Sequence, residues 1–147
     1  MSEDGDTPRI LVSDRQPLPV DRTGLAALAS LCLVGEGIGG AEVSLSFVEP
    51  EEMAELHATY MNEVGPTDVL SFPLDEDDRD EDGVRLLGDV VIAPAIAARN
   101  NPDDPAAELR LLVVHGILHL LGHDHEDVGE RAAMWAIQER YTGVRVP

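Results

Sequence analysis

Three histidines within eleven residues, His115–His125 (HGILHLLGHDH), are the side chains of this sequence best suited to chemistry. His115 and His119 are four apart, so on a helix their imidazoles stand nearly above one another on one face. Gly122 follows three residues after His119, where a helix often ends in a residue of positive φ. The chain can then turn back and bring His125 toward the two helical imidazoles. Three neutral imidazoles meeting at one point suit a zinc ion, and three protein ligands leave a fourth position for water or substrate. The expectation is one Zn2+ per chain on His115, His119 and His125. Such an ion lowers the pKa of bound water roughly from 15.7 to 7. His123 is at the wrong offset and is expected to point away. Asp124 is either an acceptor for an imidazole N–H or a solvated loop acid.

The elements that must hold these residues read as follows. Arg9–Ser13 (RILVS) is a short β-branched strand ended by Pro17 and Pro19. Asp21 caps a helix over Arg22–Val34, with Leu25, Leu28, Ala29 and Leu33 at helical spacing and glycines at its end. Glu42–Val48 alternates, with Val43, Leu45 and Phe47 on one side. Pro50-Glu51-Glu52 opens a helix with acids near its positive end, whose apolar face is Met53, Leu56 and Tyr60, and Gly65-Pro66 ends that segment. Thr67–Leu74 and Arg85–Ala93 form a hairpin around the acidic loop Asp75–Gly83, with Pro73 restricting the first strand to an edge or an end and Gly88 marking a bulge or close approach. Pro94–Asn100 is a short helix. Asp104-Pro105 begins the histidine helix as cap then proline. Asp127–Tyr141 is a terminal helix with Val128, Ala132, Trp135 and Ile137 as its partial apolar period. The fold class is α+β: a small mixed β-sheet with helices packed on it and the metal site at a helix C-terminus.

The chain has 147 residues, which fits one domain, here 8–147 after a flexible acidic tail, 1–7. Five aromatic side chains of Phe, Tyr and Trp type leave an aliphatic core. One cysteine, Cys32, excludes an internal disulfide and fits buried packing in a reducing compartment. The sequence shows no membrane span and no signal-peptide pattern, so the expected location is the cytoplasm. Net charge is −19 with arginine as the only strong base, which argues against broad nonspecific binding of nucleic acid. The acidic loop lacks the ligand spacing of a calcium site.

The histidine spacing matches the metzincin protease signature H-E-x-x-H-x-x-G-x-x-H except at one decisive position. The proteases use Glu there as a general base, and this chain has Gly116. With that glycine the stretch resembles instead the YbeY family of bacterial metal-dependent endoribonucleases, close to H-G-x-L-H-L-x-G-x-D-H. Pro66–Pro73 (PTDVLSFP) and Leu87–Ile92 (LGDVVI) match two further blocks of that family. The resemblance covers roughly Glu42 to Tyr141. It implies a zinc site at the open face of a mixed sheet. It also implies single-strand-specific cleavage of RNA, in maturation of the 16S rRNA 3′ end and in ribosome quality control. Partners so implied are single-stranded RNA, rRNA and the ribosome or its small-subunit proteins.

Two departures accompany it. Met61 stands where the family pattern L-N-x-x-Y-R has arginine, and His57 where it has Asn. With no glutamate base in the helix, zinc-activated water attacks directly or a distant acid assists. Asp68 and Asp89, both in family-like blocks, are the candidates, each with a structural alternative as a turn or loop-end acceptor. Ser71 lines the same groove or bonds backbone, and Arg85 or Arg99 is a replacement for the missing arginine. Two other functions compete with the ribonuclease: a metalloprotease, weakened by Gly116, and a non-catalytic zinc or ribosome-binding module with a fourth protein ligand such as an acid or Cys32.

Overall fold

The structure is a computed structural model that describes residues 7–61, 68–75, 77–123 and 128–143. Its elements in chain order are β1 (Arg9–Arg15), α1 (Arg22–Gly35), β2 (Ala41–Val48), α2 (Pro50–Met61), β3 (Val69–Pro73), β4 (Arg85–Ile92), α3 (Pro94–Asn100), α4 (Pro105–Leu120) and α5 (Val128–Thr142). The four strands make one mixed sheet in the order β1-β2-β4-β3. β1, β2 and β4 are parallel, and β3 pairs antiparallel with β4 as the expected hairpin. Pro73, without an N–H, closes the edge strand β3, as the chemistry of proline requires. The α+β expectation holds for the sheet and its five helices. Residues 1–6 of the acidic tail and Gly65-Pro66 lie outside the described residues.

Two apolar layers flank the sheet. On one face Val43, Leu45, Phe47, Val90 and Ile92 pack with α1, α4 and Met134 of α5. On the other, Val48, Leu70 and Val91 pack with Met53 and the half-buried Leu56 of α2. Cys32 is fully buried in the larger cluster, and burial, followed by the nearby Glu36 charge, pushes its thiol up to about 12. It is packing, and a poor source of thiolate for a metal. The terminal helix corrects the sequence expectation: Ala132 and Trp135 are exposed, whereas Met134 and Gln138 are fully buried. The inward stripe is therefore Met134, Ile137, Gln138 and Tyr141, at helical spacing.

Two glycines set how closely α4 and the sheet approach. Gly88 has φ +137°, and a Cβ there would fall on the Phe72 carbonyl oxygen. It belongs to a bulge: Glu42 pairs with Leu86 and Val43 with Gly88, leaving Leu87 as the extra residue. Leu87 and Val90 consequently share the α4 face although they are three apart. Gly116 is the second. A Cβ on it would lie 2.5 Å from Val90 Cγ1, so the α4 backbone rests directly on the sheet.

The start of α4 is capped as expected, with the Asp104 side chain accepting from the Ala107 N–H at 3.0 Å. Glu108 follows in the first turn. Burial, then repulsion from Asp68, raises its carboxyl above the ordinary value of 4.5.

Three outcomes are expected. Gly116→Ala forces a methyl against buried Val90 and lowers unfolding free energy by about 1–3 kcal/mol, measured by urea denaturation. Gly88→Ala combines a left-handed φ with a backbone clash and costs about 2–4 kcal/mol in the same assay. Glu108 favours folding only while protonated: its contribution is full below about pH 4.5 and is lost as pH rises through the elevated folded-state value. Glu108→Gln should therefore unfold at higher urea than wild type at neutral pH, with the advantage gone in acid below the unfolded-state value. An advantage independent of pH would contradict this origin.

Candidate metal centre

The histidine helix ends as its sequence predicts. Gly122 has φ +96°. Its N–H donates to the His119 carbonyl at 3.0 Å, and the His123 N–H donates to the Leu118 carbonyl at 3.0 Å. These two bonds are the Schellman arrangement, in which a left-handed glycine satisfies the last carbonyls and reverses the chain. The reversal comes at Gly122, three residues after His119, as a third ligand from the following segment requires. His125 and Asp124 themselves lie outside the described residues.

Nine residues of α4, among them Leu112, Val113, Ile117 and Leu118, are buried. That packing fixes the rotation of the helix and leaves His115 and His119 half-buried at its rim. Their rings meet edge to face with centroids 4.7 Å apart. His115 Nδ1 lies 2.7 Å from Oε1 of the buried Gln138. Which of the two atoms donates in this contact is set by the imidazole tautomer. Two imidazoles edge to face at the rim of a buried helix, one of them in contact with a buried amide, are a donor set that fits zinc. Among the described residues no third His, Cys, Asp or Glu joins them as a metal-holding group.

The remaining candidates divide by face. Ser71, on the edge strand, is paired with Val90 and faces α4, where its Oγ donates to the Gly116 carbonyl at 3.1 Å. Its hydroxyl ties the strand to the helix beside His115, which is the backbone-bonding alternative. Asp68 precedes β3, accepts from Asn100 Nδ2 at 3.1 Å, and interacts with Glu108 on α4. Asp89 goes elsewhere. It is exposed, sits across from Phe72 and Ser44, and lines a cavity with Arg15, Ser46, Glu52, Tyr60 and Phe72 on the α2 face of the sheet. The cause is the bulge. Counting alternate residues from Leu87 sends Asp89 toward α4, but the extra residue reverses the sense before Asp89 is reached. The structure does not bring Asp89 to the histidines. Arg85 opens β4 beside Ala41, three residues and roughly 10 Å along the strand from Gly88. Arg99 is in the last turn of α3.

Sequence reasoning missed two residues of this neighbourhood. Gln138 was detectable as an amide inside an otherwise apolar helical stripe. Glu36, just past α1, accepts from Tyr141 Oη at 2.8 Å and lies 3.6 Å from His123 Nε2. It draws His123 toward α1, in keeping with the expectation that this ring turns away. The protease alternative meets a steric obstacle at Gly116, because the face that would carry the glutamate is pressed onto Val90.

A sequence model of the endoribonuclease YbeY family matches residues 22–143. A protein described as endoribonuclease YbeY from Frankia casuarinae is 45% identical over 132 residues, covering 82% of this chain and 66% of that protein. One of the same description from Beutenbergia cavernae is 44% identical, over 88% of this chain and 91% of its own length. The solution structure of TM1509 from Thermotoga maritima superposes with a TM-score of 0.59 at 30% identity, covering 90% of this chain and 86% of that one. On this sequence match and shared architecture, the chain belongs to the endoribonuclease YbeY family of metal-dependent, RNA-cleaving enzymes.

Proposed function

We propose that this chain cuts single-stranded RNA with one zinc ion held by His115, His119 and His125, and that its substrate in the cytoplasm is the 3′ end of 16S rRNA. The observation that carries the zinc reading is the His115–His119 pair, edge to face at 4.7 Å, with His115 Nδ1 already engaged by Gln138. When bound, zinc supplies an acidified water and a Lewis acid for a phosphoryl oxygen.

The chain's own residues do the positioning. Gly116 lets α4 lie on Val90, so both imidazoles are presented from a rigid, buried helix rather than a loop. Ser71 fixes the edge strand against that helix next to His115. No carboxylate stands at position 116, so a bound ion would have to supply its water already ionised, the proton passing to solvent, or a distant acid would accept that proton. Of the two acids named from the sequence, Asp89 lies on the α2 face, and Asp68, held before β3 by Asn100, is retained as the distant acid. Arg85 is retained as a phosphate contact. Ten arginines against 29 acids leave little field to attract RNA, so the ribosome or a small-subunit protein supplies it.

The zinc-loaded protein should cut unstructured ribosomal RNA fragments, and His119→Ala should be slower by about 100-fold or more while remaining folded. Chelation should abolish cleavage and added zinc restore it. Cleavage at equal rates by wild type and His119→Ala would overturn the proposal. Degradation of casein with intact RNA would move the reading to the protease class.

A further inference from the structure

Gln138 is the one polar side chain among the fully buried residues described. Burying an amide in an aliphatic cluster is costly unless it is hydrogen-bonded. Leu or Met would fill the stripe of α5 without that cost, as Met134 does one turn earlier. The amide oxygen instead points at His115 Nδ1, 2.7 Å away, from a helix that packs along α4. Thr142 Oγ1 donates to the Gln138 carbonyl at 2.8 Å, bracing the α5 turn that carries it.

We propose that Gln138 is a positioning residue for the metal centre: its Oε1 holds His115 as the Nδ1–H tautomer and so presents Nε2 to the ion. The inference rests on the zinc reading above, but its first consequence is visible without metal. With Oε1 as acceptor, His115 must carry its proton on Nδ1. Turning the amide round would make Nδ1 the acceptor and put the proton on Nε2, a form that cannot ligate through that atom. A neutral amide also sets the tautomer without adding another charge to a chain that already carries −19. The imidazole keeps its orientation because donor and acceptor come from two helices locked in one core.

The test has two arms. In metal-free 15N-labelled protein at about pH 8, above the ordinary histidine range, long-range 1H–15N spectra should show His115 protonated on Nδ1. Gln138→Leu should abolish that preference, and Gln138→Glu, which keeps an acceptor, should retain it. In the second arm, competition with a chromophoric chelator should show zinc affinity lowered about 10–100-fold in Gln138→Leu and within a few-fold of wild type in Gln138→Glu. Thermal unfolding of the metal-free variants separates loss of fold from loss of orientation. Wild-type His115 protonated on Nε2, or unchanged zinc affinity in a folded Gln138→Leu, overturns the proposal. If Gln138→Leu does not fold, loss of the tautomer or of the affinity in Gln138→Glu overturns it instead. Wild-type protein that binds no zinc but shows Nδ1–H refutes the zinc reading and leaves the hydrogen bond standing, so the two failures are distinguishable.

Discussion

The contact between Gly116 and Val90 governs the geometry of this molecule. A helix normally stands off a sheet by the thickness of its side chains. Here one inward position of α4, Gly116, has none, and the backbone there rests on a β-branched residue at the centre of β4. The rotation of α4 is then fixed, because buried Val113, Ile117 and Leu118 share that inner side. His115 and His119 are carried to the rim by the same rotation. The glycine that removes a protease's base is thus also the residue that seats the helix. One position serves packing and excludes a chemistry, and the two facts have a single steric cause.

The histidines are further constrained from both ends. Three residues beyond His119 the chain reverses, through a glycine in the left-handed region and two hydrogen bonds to the last carbonyls of α4. From behind, α5 supplies the Gln138 oxygen to His115. From the side, Ser71 bonds the carbonyl of Gly116 and so anchors the edge strand next to the first histidine. These are backbone and buried side-chain contacts, which hold a ring more tightly than exposed ion pairs do. The surface pair of Arg15 with Glu52 at 2.7 Å lies on the opposite face of the sheet and contributes little to the site.

Much of this was legible in the sequence, for identifiable reasons. Apolar periodicity gave β2 and α1. Proline and aspartate punctuation gave the starts of α3 and α4, and Gly122 gave the end of α4. Each of these is a local signal acting over a few residues. Two failures have non-local causes. Asp89 was named from its family-like block, and the bulge expected at Gly88 turns it to the α2 face, which only the pairing with β2 reveals. The inner stripe of α5 was misread because exposed Trp135 outweighed buried Gln138 in any hydrophobic count. The partner of that glutamine is 23 residues away on another helix, beyond the reach of any local pattern. The metal ligands fall between these cases: His115 and His119 follow from helical geometry, whereas His125 rests on the bend alone.

The claim on which the account depends is that three imidazoles hold one zinc ion and leave a coordination position open. A crystal structure of the zinc-loaded protein tests it directly. The account predicts His115, His119 and His125 nitrogens at about 2.0–2.1 Å from the ion, with water in the fourth place. A fourth protein side chain closing the site, or an ion bound without His119, would contradict it.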